Sequence, residues 1–181
     1  MKTDNIFVRS GHERIANDNY QTVDPRCVQA LIETLPNAFH DTFITDVCSP
    51  SGSGIVDYFS TIGWHSSGIP DAFGRVDNYG WVVSNPPYER SKVDKIINRQ
   101  IERIDSKEVH SVAMLLRTGF DHAKTRVNMF EFNKHYAGQI KMLFRPVWFL
   151  DTETTPIHNY VWHIWSNNIF VRHDFPRVWY W

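Results

Sequence analysis

The chain has 181 residues, a net charge of −1 and a composition that is 42% hydrophobic and 22% charged. That length supports one domain around one core, and the near-neutral charge excludes a bulk polycation, so any contact with nucleic acid has to be local. Cys27 and Cys48 form neither a disulfide framework nor a CxxC pair, which points to a reduced, intracellular compartment. Residues 1–19 are polar with no signal-like apolar segment, and no run approaches the roughly 20 apolar residues that span a bilayer.

Residues 1–18 read as a loosely docked arm and 19–181 as a single domain, because no repeat or linker divides the rest. Asp24-Pro25 predicts a helix start, since Asp caps free backbone donors and Pro suits the first turn. Val28, Leu31, Ile32 and Leu35 then share one helical face. Phe43 to Val47 reads as a buried strand, followed by the small-residue bend Cys48 to Gly54 and an apolar helix through Ile55 and Phe59. Residues 63–80 are Gly-rich and carry no clear pattern. Trp81 to Ser84 is a short apolar strand that runs into Asn85-Pro86-Pro87-Tyr88. Val93, Ile96, Ile97, Ile101 and Ile104 stripe the next helix, and Val109 to Leu116 is a strong strand. Residues 121–135 read as helical, and Gln139 to Phe144 and Tyr160 to Trp165 as two final strands. The terminal Trp179-Tyr180-Trp181 reads as a tail against the sheet edge. This alternation predicts an α/β fold: a Rossmann-like three-layer sandwich with a mainly parallel sheet, closed by an antiparallel C-terminal hairpin.

The chemistry concentrates at two turns. The lone pair of a ring amino group is delocalised and nucleophilically poor. A site that accepts hydrogen bonds from both amino hydrogens favours a tetrahedral, reactive nitrogen. Asn85 offers a carboxamide oxygen and Pro86 a backbone carbonyl; Pro87 holds that carbonyl in a fixed direction. Tyr88 can stack on a base, which is worth roughly 1–3 kcal/mol. The second turn joins Asp46, at a strand end, to Gly52 and Gly54. Glycines admit a ligand close to the backbone and the following helix start supplies free N–H groups. Asp46 is then placed to meet a positively charged part of that ligand. Basic residues outnumber acidic ones from Glu89 to Arg126, which a solvated helix face also explains. The nine His make no metal-binding spacing, so no metal is expected.

Asn85-Pro86-Pro87-Tyr88 resembles the (D/N)-P-P-(Y/F) catalytic motif of amino-methyltransferases that act on nucleic acid. Asp46 to Gly54 is similar to their glycine-rich cofactor motif, and the stretch from Asn19 through Tyr20 and Thr22 to Pro25 resembles their Y-x-T-P segment. Val112 to Arg117 and Arg145 to Phe149 are similar to the later part of small phage and bacterial DNA adenine-N6 enzymes, so the likeness covers roughly residues 19–165. It implies about seven strands, S-adenosylmethionine as cofactor, and catalytic roles for Asn85, Pro86, Pro87 and Tyr88. The cofactor would be held by Tyr20, Thr22, Asp46, Gly52, Gly54 and an acid on the ribose or adenine side, with Asp71 the first choice and Asp77 the second. It also implies a DNA substrate, with RNA as an alternative, and the cytoplasm of a bacterium or phage-infected host. Methylation of a protein glutamine amide, or nucleotide or nucleic-acid binding without turnover, stay open as rivals. The chain departs from the family where Cys48-Ser49-Pro50-Ser51 replaces a fixed residue in the cofactor turn, and in the short interval from Gly54 to Asn85.

Overall fold

A computed structural model describes residues 21–49, 52–76, 78–149, 157–168, 171 and 177–181. The expected arm at 1–18, Tyr20 and Asp77 lie outside the described residues.

Asp24 caps α1 (Pro25–Thr34), its carboxylate accepting the Arg26 N–H at 3.1 Å. Ser53 caps α2 (Gly54–Thr61) in the same way, accepting the Val56 N–H at 3.3 Å. The isoleucine stripe becomes α3 (Arg90–Asp105). The strands are β1 (Ile44–Asp46), β2 (Ser66–Gly68), β3 (Trp81–Ser84), β4 (Ser111–Arg117), β5 (Tyr136–Lys141), β6 (Tyr160–Ser166) and β7 (Arg177–Tyr180). They form one seven-stranded sheet in the order β2-β1-β3-β4-β6-β5-β7. The β1–β2, β1–β3, β3–β4 and β5–β7 pairs are parallel; β6 is antiparallel to both β4 and β5.

The sheet separates two apolar layers. On one side Cys27, Leu31, Ile55 and Phe59 from α1 and α2 pack on Ala113, Leu115, Trp162 and Ile164. On the other, Ile97, Ile101 and Ile104 from α3 pack on Val112, Met114 and Leu116. Odd and even positions of β4 therefore face opposite layers, as strand geometry requires. The three-layer α/β architecture matches the sequence expectation, antiparallel C-terminal strands included.

Three local readings change. The expected helix over 121–135 is a pair of 3-10 turns, Phe120–His122 and Lys124–Met129. Side chains take backbone carbonyls there: Arg126 donates to Phe120 O at 2.7 Å and Asn133 to Asn128 O at 3.3 Å, which competes with helical hydrogen bonding. The Gly-rich stretch hides β2, whose Ser66-Ser67-Gly68 is held by register with Ile44–Asp46 and not by apolar content. The aromatic tail does meet the sheet edge, but as the strand β7, paired with β5 from Gly138 to Lys141.

Candidate functional site

Asp46 closes β1 and Ser84 closes β3, side by side at the carboxyl end of the sheet. This is the end where open α/β sheets hold ligands. Asp46 is 5% exposed, and both of its oxygens are engaged: Ser84 Oγ donates to Oδ1 at 2.6 Å and Ser53 Oγ to Oδ2 at 2.5 Å. The Cys48 N–H donates to Oδ1 as well, at 3.2 Å. Burial raises the Asp46 pKa and the two serine hydroxyls oppose that rise. Asp46 thus shapes the bend from beneath, with both oxygens already bonded. The Cys48 thiol is pushed up to about 12, chiefly by burial, which disfavours the thiolate.

The two glycines of the bend have different reasons. Gly52 has φ +68° and, among the described residues, no heavy atom within 4 Å of where a side chain would begin. Its left-handed backbone favours glycine. At Gly54 a Cβ would lie 1.9 Å from the Thr22 carbonyl oxygen. Gly54 is therefore needed for the segment 21–24 to cross the bend. Thr22 is 4% exposed and its hydroxyl has no hydrogen-bond partner among the described residues, a buried polar group that a ligand could satisfy.

The Asn85-Pro86-Pro87-Tyr88 turn begins directly after the Asp46–Ser84 bond. Asn85 is 6% exposed, Pro86 is buried, and Pro87 and Tyr88 are half-buried. The Tyr88 hydroxyl lies 2.5 Å from Asn85 Oδ1 and 3.1 Å from Leu115 O. A phenol carries one proton, so these are alternative acceptors for it. The Tyr88 ring lies 5.5 Å from that of Tyr160 and under the Arg117 guanidinium at 5.2 Å. In this arrangement it lies among Tyr160, Arg117 and the Asn85 carboxamide, where the sequence reading stacks it on a base.

Asp71 lies three residues beyond β2, exposed, in a turn where its Oδ1 accepts the Phe73 N–H at 2.9 Å. The loop joins the bend through Ile69, whose N–H donates to Asp46 O at 2.8 Å and whose carbonyl accepts the Ser49 N–H at 3.1 Å. Thr22, Asp46, Gly52, Gly54, Asp71 and Asn85 to Tyr88 thus belong to connected segments at one end of the sheet. Ser53 and Ser84, which tie them together, were not singled out from sequence. Ser53 at an N-cap position was the available signal.

Among solved structures, a proposed class I S-adenosylmethionine-dependent methyltransferase from Listeria monocytogenes aligns with a TM-score of 0.60 at 11% identity, over 94% of this chain and 68% of that one. The fold is that of the class I methyltransferases. A proposed RNA methyltransferase from Pyrococcus horikoshii gives a TM-score of 0.45 at 12% identity, over 80% of this chain and 82% of that one. A human methyltransferase 10 domain-containing protein gives 0.43 at 8% identity, over 87% and 85%. No family model and no curated protein matches the sequence. Among the described residues, no group of three or more His, Cys, Asp or Glu is placed to hold a metal ion, and no helix is long and apolar enough to cross a membrane.

Proposed function

We propose that the chain transfers the methyl group of S-adenosylmethionine to an exocyclic amino nitrogen, with adenine N6 in DNA as the substrate. The observation that carries this reading is the 2.6 Å hydrogen bond from Ser84 to Asp46. It ties the small-residue bend to the residue that precedes Asn85, so the cofactor and catalytic segments of the sequence reading are neighbours in space.

The residues present fit the cofactor. The positive-φ backbone at Gly52 and the exposed Asp71 carboxylate offer it a surface, with the buried Asp46 carboxyl and the Thr22 hydroxyl, which has no partner among the described residues, beneath. Bound there, it supplies an electrophilic methyl on a sulfonium. The chain's own groups do the rest. Asn85 Oδ1 accepts one amino hydrogen of the substrate and the Pro86 carbonyl the other, which draws the nitrogen lone pair out of conjugation. The Tyr88 hydroxyl can release Asn85 and keep a hydrogen bond by turning to Leu115 O. No general base is needed, because the methylated nitrogen loses its proton to water afterwards. The rate enhancement comes from alignment.

Tritiated-methyl transfer to pools of DNA, RNA and protein tests the reading. Label is expected in DNA, and Asn85→Ala should cut the rate by about 100-fold, the scale for losing one transition-state hydrogen-bonding group. Full transfer by Asn85→Ala would remove Asn85 from the mechanism. Label in RNA or on protein glutamine would move the substrate. Tight DNA binding with no affinity for S-adenosylmethionine would leave a non-catalytic binding domain.

A further inference from the structure

The parallel strands have a second end. β1, β2 and β3 begin at Ile44, Ser66 and Trp81, and the segments that lead into them, 39–43, 63–65 and 78–79, line one cavity of about 590 Å³. That volume falls in the range of small-molecule sites, roughly 300–1,000 Å³. Asp46, Ser84 and the Asn85 turn lie at the opposite, carboxyl end of the same strands, so this cavity is separate from the candidate methyl-transfer site.

Hydrogen bonds and ring contacts fix its walls. The Ile44 N–H donates to His65 O at 3.0 Å, the Trp81 N–H to Phe43 O at 2.8 Å and the His110 N–H to Gly80 O at 3.0 Å. Thr42 Oγ1 lies 3.0 Å from His110 Nε2, and the His110 ring makes a T-shaped contact with Tyr79 at 5.2 Å. Trp64 is held by Phe39 and Phe59, whose ring centroids are 5.9 and 5.7 Å away. A cavity formed in advance loses little freedom when it is filled.

Its lining selects by charge. Asp41 is the one carboxylate among the described lining residues; it is exposed, and its side chain has no hydrogen-bond or ion-pair partner among the described residues. No Lys or Arg among them lines the cavity; His40 and His65 do. A phosphate or carboxylate would meet Asp41 with no fixed cation to offset the repulsion. A cleft with one sign of charge and low-dielectric walls concentrates the opposite ion. Trp64, half-buried, and Tyr79, 59% exposed, supply ring surface, and aromatic faces attract ammonium groups. Thr42 and Asn78 add side-chain oxygens that accept N–H donors.

We propose that this cavity binds a small alkylammonium ion, its ammonium group paired with Asp41 and its alkyl chain against Trp64 and Tyr79. The site goes beyond the methyl-transfer reading and does not depend on it.

Pentylammonium titrated into the full chain at about pH 8, above the ordinary imidazole range, tests this by calorimetry and by the amide and indole NMR signals. A Kd tighter than about 1 mM is expected. Shifts should concentrate at the Trp64 indole and the amides of 40–43 and 63–65, while those of Ser84 and Asn85 stay still. Asp41→Asn should weaken binding by about tenfold, the scale of a lost charge-assisted contact, and Tyr79→Ala by about fivefold. Both positions are exposed, and an unchanged melting temperature would show that both variants fold. Pentanoate, with a similar chain and the opposite charge, should not bind. Equal affinity in folded Asp41→Asn, pentanoate binding as tightly as pentylammonium, or shifts spread over the acidic surface would each overturn the inference. Tighter binding of N-acetyl-lysine amide than of the free amine would overturn the small-molecule assignment in favour of a lysine side chain.

Discussion

On the parallel side of the sheet, β1, β2 and β3 are three or four residues long, and β1 and β3 end in buried polar groups: Asp46, then Ser84 followed by Asn85. On the antiparallel side, β6 runs seven residues and is buried throughout, with Trp162 and Trp165 facing opposite layers. The first region holds a buried carboxylate that burial disfavours; the second buries large rings. Polar burial at the ends of β1 and β3 is unfavourable to stability and lies where the proposed function needs it, while the aromatic strands supply core that offsets it.

The comparison predicts a division between variants. The largest effect should come from Trp162→Ala, which deletes a fully buried ring and the 2.7 Å hydrogen bond from Nε1 to Cys27 O. Denaturant unfolding should show about 4 kcal/mol lost, with turnover per folded molecule unchanged. A drop in turnover larger than the loss of folded protein would erase the division.

His163 comes next. It is 0% exposed among Phe130, Tyr136 and Trp165, and its Nδ1 accepts the Tyr136 hydroxyl at 2.9 Å. Burial lowers its pKa to about 4, the Asp121 charge opposing. The unfolded value is near 6.5, so the unfolded chain takes up a proton that the native one refuses. Stability from this group is complete above about pH 6.5 and is lost as pH falls toward 4, by about 3 kcal/mol. His163→Gln should flatten that part of the pH–stability curve relative to the unaltered chain. Equal slopes would mean the imidazole is already charged in the fold.

Ser84→Ala removes one donor to the buried Asp46 carboxylate. About 2 kcal/mol of stability should go, and methyl transfer should fall further than folding explains. If activity simply tracks stability, the Asp46–Ser84 bond is a fastening and nothing more. The smallest effect is expected of Tyr88→Phe, which keeps the ring and gives up the hydroxyl, at about 1 kcal/mol. A change in KM for the nucleic acid would show that the hydroxyl competes for Asn85; a silent variant would show that it does not.

Most of the fold was legible because its signals are local and periodic. The Asp24-Pro25 start, the α3 stripe and the apolar run of β4 each declare themselves. β2 does not, because Ser66, Ser67 and Gly68 owe their strand to backbone pairing with β1. The candidate site reads from the sequence as two motifs and not as one object. Ser84 reads as the last residue of a strand until the fold sets it 2.6 Å from Asp46, thirty-eight positions earlier in the chain. At Tyr88 the motif marks a ring for stacking, and the fold adds what the motif does not show: its hydroxyl meets the neighbouring carboxamide.

The flush contact of Gly54 against the Thr22 carbonyl reaches beyond the bend. The crossing segment ends at Asp24, whose carboxylate caps α1 and also accepts the Val147 N–H at 3.1 Å, 123 positions along the chain. A molecule bound over the bend that stiffens the crossing segment would also steady the Asp24–Val147 hydrogen bond. Slower deuterium uptake at the Val147 amide would report that occupancy from afar.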